Sequence, residues 1–197
     1  MKKYEFTGET KVIAGVTLKR IRALISFGFV VKGEIGGFIE SEKNLSHDGN
    51  AWVADNARVA DNARVTGNAW VTGNARVTGN AWVTGNAWVT GNARVTGNAR
   101  VAGNARVAGN ARVTGNARVA GNADCMLIGR IGSRSDFTTF FKNKDGGISV
   151  RCGCFYGTIE EFREKVEETH GTDTKHAKVY QAAANLAEMQ ILEQEAE

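Results

Sequence analysis

Val recurs at every sixth position from Val53 to Val119, and an Ala stands two residues before each one. Arg or Trp lies between them; Thr or Ala, then Gly or Asp, then Asn complete the unit. Twelve such units run from Asn50 to Gly121 without an insertion. Side chains alternate along a strand, so Val53, Val59, Val65 and their successors face inward with Ala51, Ala57 and Ala63, while Arg or Trp points out. The Ala must be small because stacked coils leave little room inside. Gly67-Asn68 and Asp55-Asn56 suit a corner that needs a positive φ or a side chain bonded to backbone. Asn at every corner can stack into a hydrogen-bonded ladder. A period this short, with a β-branched residue and a turn pair in each unit, predicts a parallel β-helix.

The repeated phrase resembles the hexapeptide repeat of left-handed parallel β-helix proteins, in which three hexapeptides make one triangular coil. The resemblance implies about four regular coils and the left-handed sense, and it brings a trimer as the family's usual assembly. Strands stacked about 4.8 Å apart would make the regular part a prism roughly 20 Å tall.

Folding the sequence at eighteen residues sorts the outward positions into three faces. One stacks Trp52, Trp70, Trp88 and Arg106; the second stacks Arg58, Arg76, Arg94 and Arg112; the third stacks Arg64, Trp82, Arg100 and Arg118. The all-Arg column is either an anion site, since guanidinium forks suit phosphate and carboxylate oxygens, or a solubilising face that discourages lateral aggregation. The column of Trp52, Trp70 and Trp88 is either an interface, subunit to subunit or to a protein partner, or a cover for neighbouring backbone. An ice-binding face does not fit, because Ala54, Ala60, Ala102, Ala108 and Ala120 interrupt the Thr series.

Apolar spacing outside the repeat divides the chain into an N-terminal cap with irregular first coils (1–49), the β-helix (50–124) and a C-terminal α+β module (125–197). The class is mainly β. In the cap, Tyr4 to Thr7 reads as a strand and Thr17 to Phe27 as an amphipathic helix burying Leu18, Ile21, Leu24 and Ile25. Ile39, Leu45 and Ala51 keep the six-residue phase, so coils start irregularly around Ile35. In the module, Met126 to Ile131, Phe137 to Lys142 and Ile148 to Tyr156 read as three strands, the last two joined through Asp145-Gly146-Gly147. Thr158-Ile-Glu-Glu161 is a capping box that opens a helix to about Thr169. A second helix runs from about Lys175 and buries Tyr180, Ala183, Ala187 and Ile191.

The formal charge of +4 is uneven: the first 49 residues carry +2, the repeat +5 and the rest −3. That sum is too modest to argue for nucleic acid, and no membrane span is present. Three Cys without a signal peptide point to a reducing cytoplasm. The sequence implies no cofactor.

Both flanks sharpen the resemblance. Gly36-Gly37-Phe38-Ile39-Glu40-Ser41-Glu42-Lys43-Asn44-Leu45-Ser46, Ile131-Gly132-Ser133-Arg134, Cys152-Gly153-Cys154-Phe155 and Glu168-Thr169-His170-Gly171 are similar to segments of hexapeptide-repeat proteins from phages and prophages. Those are often labelled transferases or polymer-forming proteins, labels that follow the repeat rather than any chemistry. The resemblance would place the chain in the cytoplasm of a bacterial host.

Hexapeptide acyltransferases typically set a catalytic His and an extruded loop between subunits. Here the regular units hold neither, so acyl transfer is not expected. Cys152, Cys154, His170 and His176 are the one conceivable metal set. Their spacing matches no standard zinc pattern, and Val150, Cys152, Cys154 and Tyr156 also alternate as a plain strand face. The densest group of anion-binding side chains outside the repeat is Arg130, Ser133, Arg134, Thr138, Thr139, Lys142 and Arg151, around the Gly/Ser stretch at Gly129–Ser135. Backbone N–H groups and guanidinium groups could hold a phosphate there, although the stretch is no P-loop. The expected function is a non-enzymatic oligomeric binding protein whose C-terminal module captures an anionic small molecule such as a nucleotide. With the phage resemblance, its use would be sequestering a host nucleotide signal. The alternative is a structural or polymer-forming scaffold that docks a protein partner.

Overall fold

The computed structural model describes residues 1–193; positions 194–197 of the C-terminal module lie outside the described residues. Its centre is a parallel β-solenoid of about five turns, built from two-residue Arg-Val and Trp-Val strands that stack into three sheets. Trp52, Trp70, Trp88 and Arg106 lie in register on one sheet. Arg58, Arg76, Arg94 and Arg112 lie in register on the second. Each rung before the last coil bonds to the rung eighteen residues on, as in Trp70 N to Ala87 O (2.9 Å), Thr72 N to Val89 O (3.0 Å) and Asn74 N to Gly91 O (2.8 Å). The inward Ala and Val are buried throughout. Asn ladders run up the corners, one from Asn62 through Asn80 and Asn98 to Asn116.

The corners explain the alternation of Gly and Asp. All but the last, Gly121, take a left-handed φ, such as +67° at Gly67, +53° at Asp55 and +57° at Asp61. The Asp carboxylates sustain that conformation by accepting from the next coil, Asp55 from Gly73 N (3.0 Å) and Asp61 from Gly79 N (2.8 Å). The Thr72 hydroxyl, followed by the Gly73 N–H, holds the Asp55 carboxyl below the usual range.

The cap departs from the expectation of a helix over Thr17 to Phe27. Strands Tyr4–Ile13 and Val16–Ala23 form an antiparallel hairpin, and the second pairs with Ile35–Ile39. That third strand pairs in parallel with Arg58-Val59, so the cap extends one solenoid sheet and completes an irregular first coil. A register shift between Arg20 and Arg22 explains the misreading: the bulge buries Leu18, Ile21 and Ala23, and the three-residue step imitates helical spacing.

Trp52 also departs from expectation. Its side chain is fully buried beneath the hairpin, edge-on to Phe27 (centroids 5.5 Å apart) and Tyr4 (6.5 Å). It is therefore core and cannot belong to an exposed interface. Lys3 is buried beside it, donating to Ala51 O (2.8 Å) and lying over the Phe27 ring. Burial lowers its pKa to about 8. The unfolded chain then binds one more proton than the fold between about pH 8 and 10.5, so the Lys3 contribution to stability rises over that window. Urea denaturation should show wild type gaining on the order of 1 kcal/mol relative to Lys3→Met between the two ends.

At the other end, strands Cys125–Ile131, Asp136–Lys142, Ile148–Cys152 and Phe155–Thr158 form an antiparallel sheet. The expected strand over Ile148 to Tyr156 is thus two, because Gly153 (φ +56°) and Cys154 turn the chain. Helices α1 (Ile159–His170) and α2 (Lys175–Leu192) cover one sheet face, and α1 opens at the Thr158–Glu161 capping box. Phe141, on the opposite face, joins the solenoid core and plugs its end. Bonds from Arg112 N to Thr139 Oγ1 (3.0 Å) and Lys144 N to Asn116 O (3.0 Å) join the module to the last coil. Both solenoid edges are therefore covered. No helix among the described residues is long and apolar enough to cross a membrane.

Candidate functional site

Strand alternation splits the predicted anion cluster between the two faces of the C-terminal sheet. Val150, Cys152, Thr138 and Phe140 face the helices, whereas Arg151, Thr139 and Phe141 face the solenoid. Thr138 and Thr139 are buried and already bonded, Thr138 to Cys152 Sγ (3.2 Å) and Thr139 to the Arg112 N–H. Lys142 pairs with Asp124 at 3.7 Å. Arg130 is exposed at the end of its strand. Ser133 and Arg134 alone of this group reach a cavity on the helix side of the sheet.

That cavity, about 460 Å³, opens between the Gly132–Ser135 turn, the Cys152–Phe155 turn and the two helices. Its interior is aromatic: Phe162 packs at 5.6 Å against both Phe155 and Tyr180, and the His170 ring lies parallel to Tyr180 at 5.8 Å. Arg134 and Lys165 bring positive charge, Lys165 being shared with Glu168 at 2.7 Å, and Asp136 contributes one carboxylate. Ser133 and Thr169 supply hydroxyls. Gly132 permits the construction, because a Cβ there would stand 1.8 Å from Tyr180 Oη. Burial, then the neighbouring Cys152, pushes the Tyr180 hydroxyl up to about 12, so it stays protonated and able to donate.

Cys152, Cys154 and His170 all line this cavity, so three members of the sequence-derived metal set do share one place. They do not make a ligand cage. Cys152 Sγ contacts the hydroxyls of Thr138 and Tyr180, Cys154 sits exposed in the turn, and His170 and His176 are 5.7 Å apart between ring centroids. Among the described residues no three His, Cys, Asp or Glu side chains converge to hold a metal ion. The partners of Cys152 Sγ are hydroxyls, which do not activate a thiol as an imidazole base would. His47, beside the first regular unit, stacks on Tyr4 at 4.3 Å and accepts from Lys3 N, a structural placement.

Two further surfaces gather sequence candidates. On the solenoid side of the sheet, Arg94 and Arg112 of the Arg column meet Arg151 around a cleft of about 150 Å³, with Thr96 and Thr114 between them. Arg58 and Arg76 lie further down the same column, Arg58 half-buried beside the cap. The second is a trough of about 370 Å³ along Phe29, Trp70 and Trp88, edged by Asn50, Asn68 and Asn86. Trp70 and Trp88 stack at 6.0 Å, and Arg106 lies over Trp88 at 5.8 Å, so the chain covers this column in part while Trp88 stays exposed.

Sequence reasoning missed Lys165, Phe155 and Phe162 as cavity residues and read Tyr180 as core. The available signal was indirect: Arg134, Cys152, Cys154 and His170 had each been singled out for other reasons, and all meet here. No curated protein matches the chain. Residues 57–73 match the YdcK beta solenoid repeat family, a likeness confined to one stretch of the central coils and in accord with the stacked rungs found there.

Proposed function

We propose that this protein is a non-enzymatic binding protein, a β-solenoid scaffold whose C-terminal module captures an anionic small molecule with a flat apolar body. Nucleotides belong to that class. The observation that carries the reading is the cavity of about 460 Å³, within the size range of small-molecule sites, with aromatic rings inside and Arg134 beside them. Rings favour a planar base, and the guanidinium favours a phosphoryl group. Under the phage resemblance, sequestering a host nucleotide signal is the corresponding biological use.

Native mass spectrometry of gently purified protein, followed by calorimetric titration with a panel of nucleotides, tests it. A stoichiometric phosphate-bearing adduct is expected, and Arg134→Ala should weaken its binding roughly 10- to 100-fold, the range for one charge-assisted hydrogen bond. Arg94→Ala, in the cleft on the solenoid side of the sheet, should leave affinity unchanged. Loss with Arg94→Ala alone would move the site to the Arg94–Arg112 cleft, and absence of any binding would defeat the reading.

A scaffold that docks a protein partner is the second reading. It is favoured by one observation, the trough where Phe29 is 82% exposed beside Trp70 and Trp88.

A further inference from the structure

Helix α2 has two apolar faces, and the fold uses one. Ala177, Tyr180, Ala184, Ala187 and Ile191 are buried against the sheet and α1. On the far side Val179, Ala182, Leu186 and Met189 follow at alternating steps of three and four residues, with Leu192 alongside. Leu186, Met189 and Leu192 are 51%, 58% and 48% exposed. A lone exposed Leu needs no explanation, but large apolar residues in line on a regular helix do. Alternation of three and four is the spacing by which one helix packs along another.

The charges say which helix. Lys175 opens α2 and Glu193 closes it, with no acidic residue in the first turn. When α2 is laid against a reversed copy of itself about the midpoint of Ala182 and Leu186, Ala182 meets Leu186, Val179 meets Met189 and Lys175 meets Glu193. A parallel copy would set Lys against Lys and Glu against Glu. The stripe is thus complementary to its own reverse, the property that a two-fold axis requires.

We infer that the outer face of α2 is the self-association surface of this protein, pairing two copies antiparallel through Val179, Ala182, Leu186 and Met189. The contact is a single helix pair, smaller than a standard interface, so the dimer is reversible and concentration-dependent. It leaves the ligand cavity on its own side of the helix pair, and each copy carries a complete one.

Sedimentation velocity of the full chain over a wide concentration range tests the inference. Wild type should pass from monomer to dimer, and the double variant Leu186→Gln/Met189→Gln should remain monomeric with its melting profile otherwise kept, because both side chains are exposed. Lys175→Glu should weaken the dimer about tenfold, and adding Glu193→Lys should restore it. Both charge changes suit the helix dipole, so a lost dimer cannot be ascribed to a lost helix. A wild type that stays monomeric overturns the proposal, as does a Leu186→Gln/Met189→Gln variant that associates like wild type, which would place the contact elsewhere. Failure of Glu193→Lys to restore the dimer overturns the antiparallel register.

Discussion

Trp52→Ala should cost about 3–5 kcal/mol, the range for removing a large buried aromatic, whereas Trp88→Ala two column positions further on should cost less than about 1 kcal/mol. The two residues occupy equivalent places in the repeat and differ only in what lies above them. Trp52 is fully buried between Tyr4, Phe27 and the first coils, and Gly36 lies so close that a Cβ there would stand 2.6 Å from the indole. Trp88 is 38% exposed. The indole N–H of Trp52 has no acceptor, so its contribution is packing rather than a hydrogen bond. Chemical denaturation should show an early transition in Trp52→Ala as the hairpin detaches, with the solenoid beyond it unfolding later, because repeat arrays bind mainly to their neighbours. Equal, small effects from the two variants would mean that the hairpin is not docked on the first coil.

Gly103→Ala should be the most damaging single-atom change among the corners, at about 3 kcal/mol, with left-handed strain and a steric clash acting together. Gly103 has φ +57°, and a Cβ would stand 2.2 Å from the carbonyl oxygen of Ala120 in the next coil. That oxygen belongs to stacked backbone and cannot rotate away like a flexible side chain. Gly146 offers the control, since its φ is +87° but nothing lies within 4 Å of the added Cβ; Gly146→Ala should cost only about 1 kcal/mol. Thermal melting of the two variants separates the effects. Similar losses in both would show that the corners can spread, and that the coil spacing is softer than the hydrogen-bond ladder suggests.

These expectations bear on function through geometry. The solenoid holds the cavity-bearing module at one end and the hairpin at the other, so a break at Gly103 should reach the module through its bonds to Arg112 and Asn116. Trp52→Ala, at the far end, should leave the proposed ligand capture intact. The cavity itself depends on short-range contacts within the module, chiefly the approach of Tyr180 to Gly132 and the packing of Phe162.

The sequence by itself determined the solenoid, its inward Ala and Val, its three outward columns, its Asn ladders and both C-terminal helices. The reason is that each depends on spacing within a few residues or on an unbroken period, and periodicity survives without knowledge of distant contacts. Tertiary structure decided the rest. It made the Thr17–Phe27 segment a strand, because a bulge and a partner at Ile35–Ile39 override a helix-like step. It buried Trp52 by laying a hairpin over one of several identical repeat positions, a choice no single unit records. It divided one linear cluster of anion-binding residues between two sheet faces, since a turn at Gly153 and strict alternation send Cys152 and Arg151 opposite ways. And it gathered Arg134, Cys152, Phe162, Lys165, His170 and Tyr180 into one cavity from four separate elements, a convergence set by long-range packing and invisible in local order.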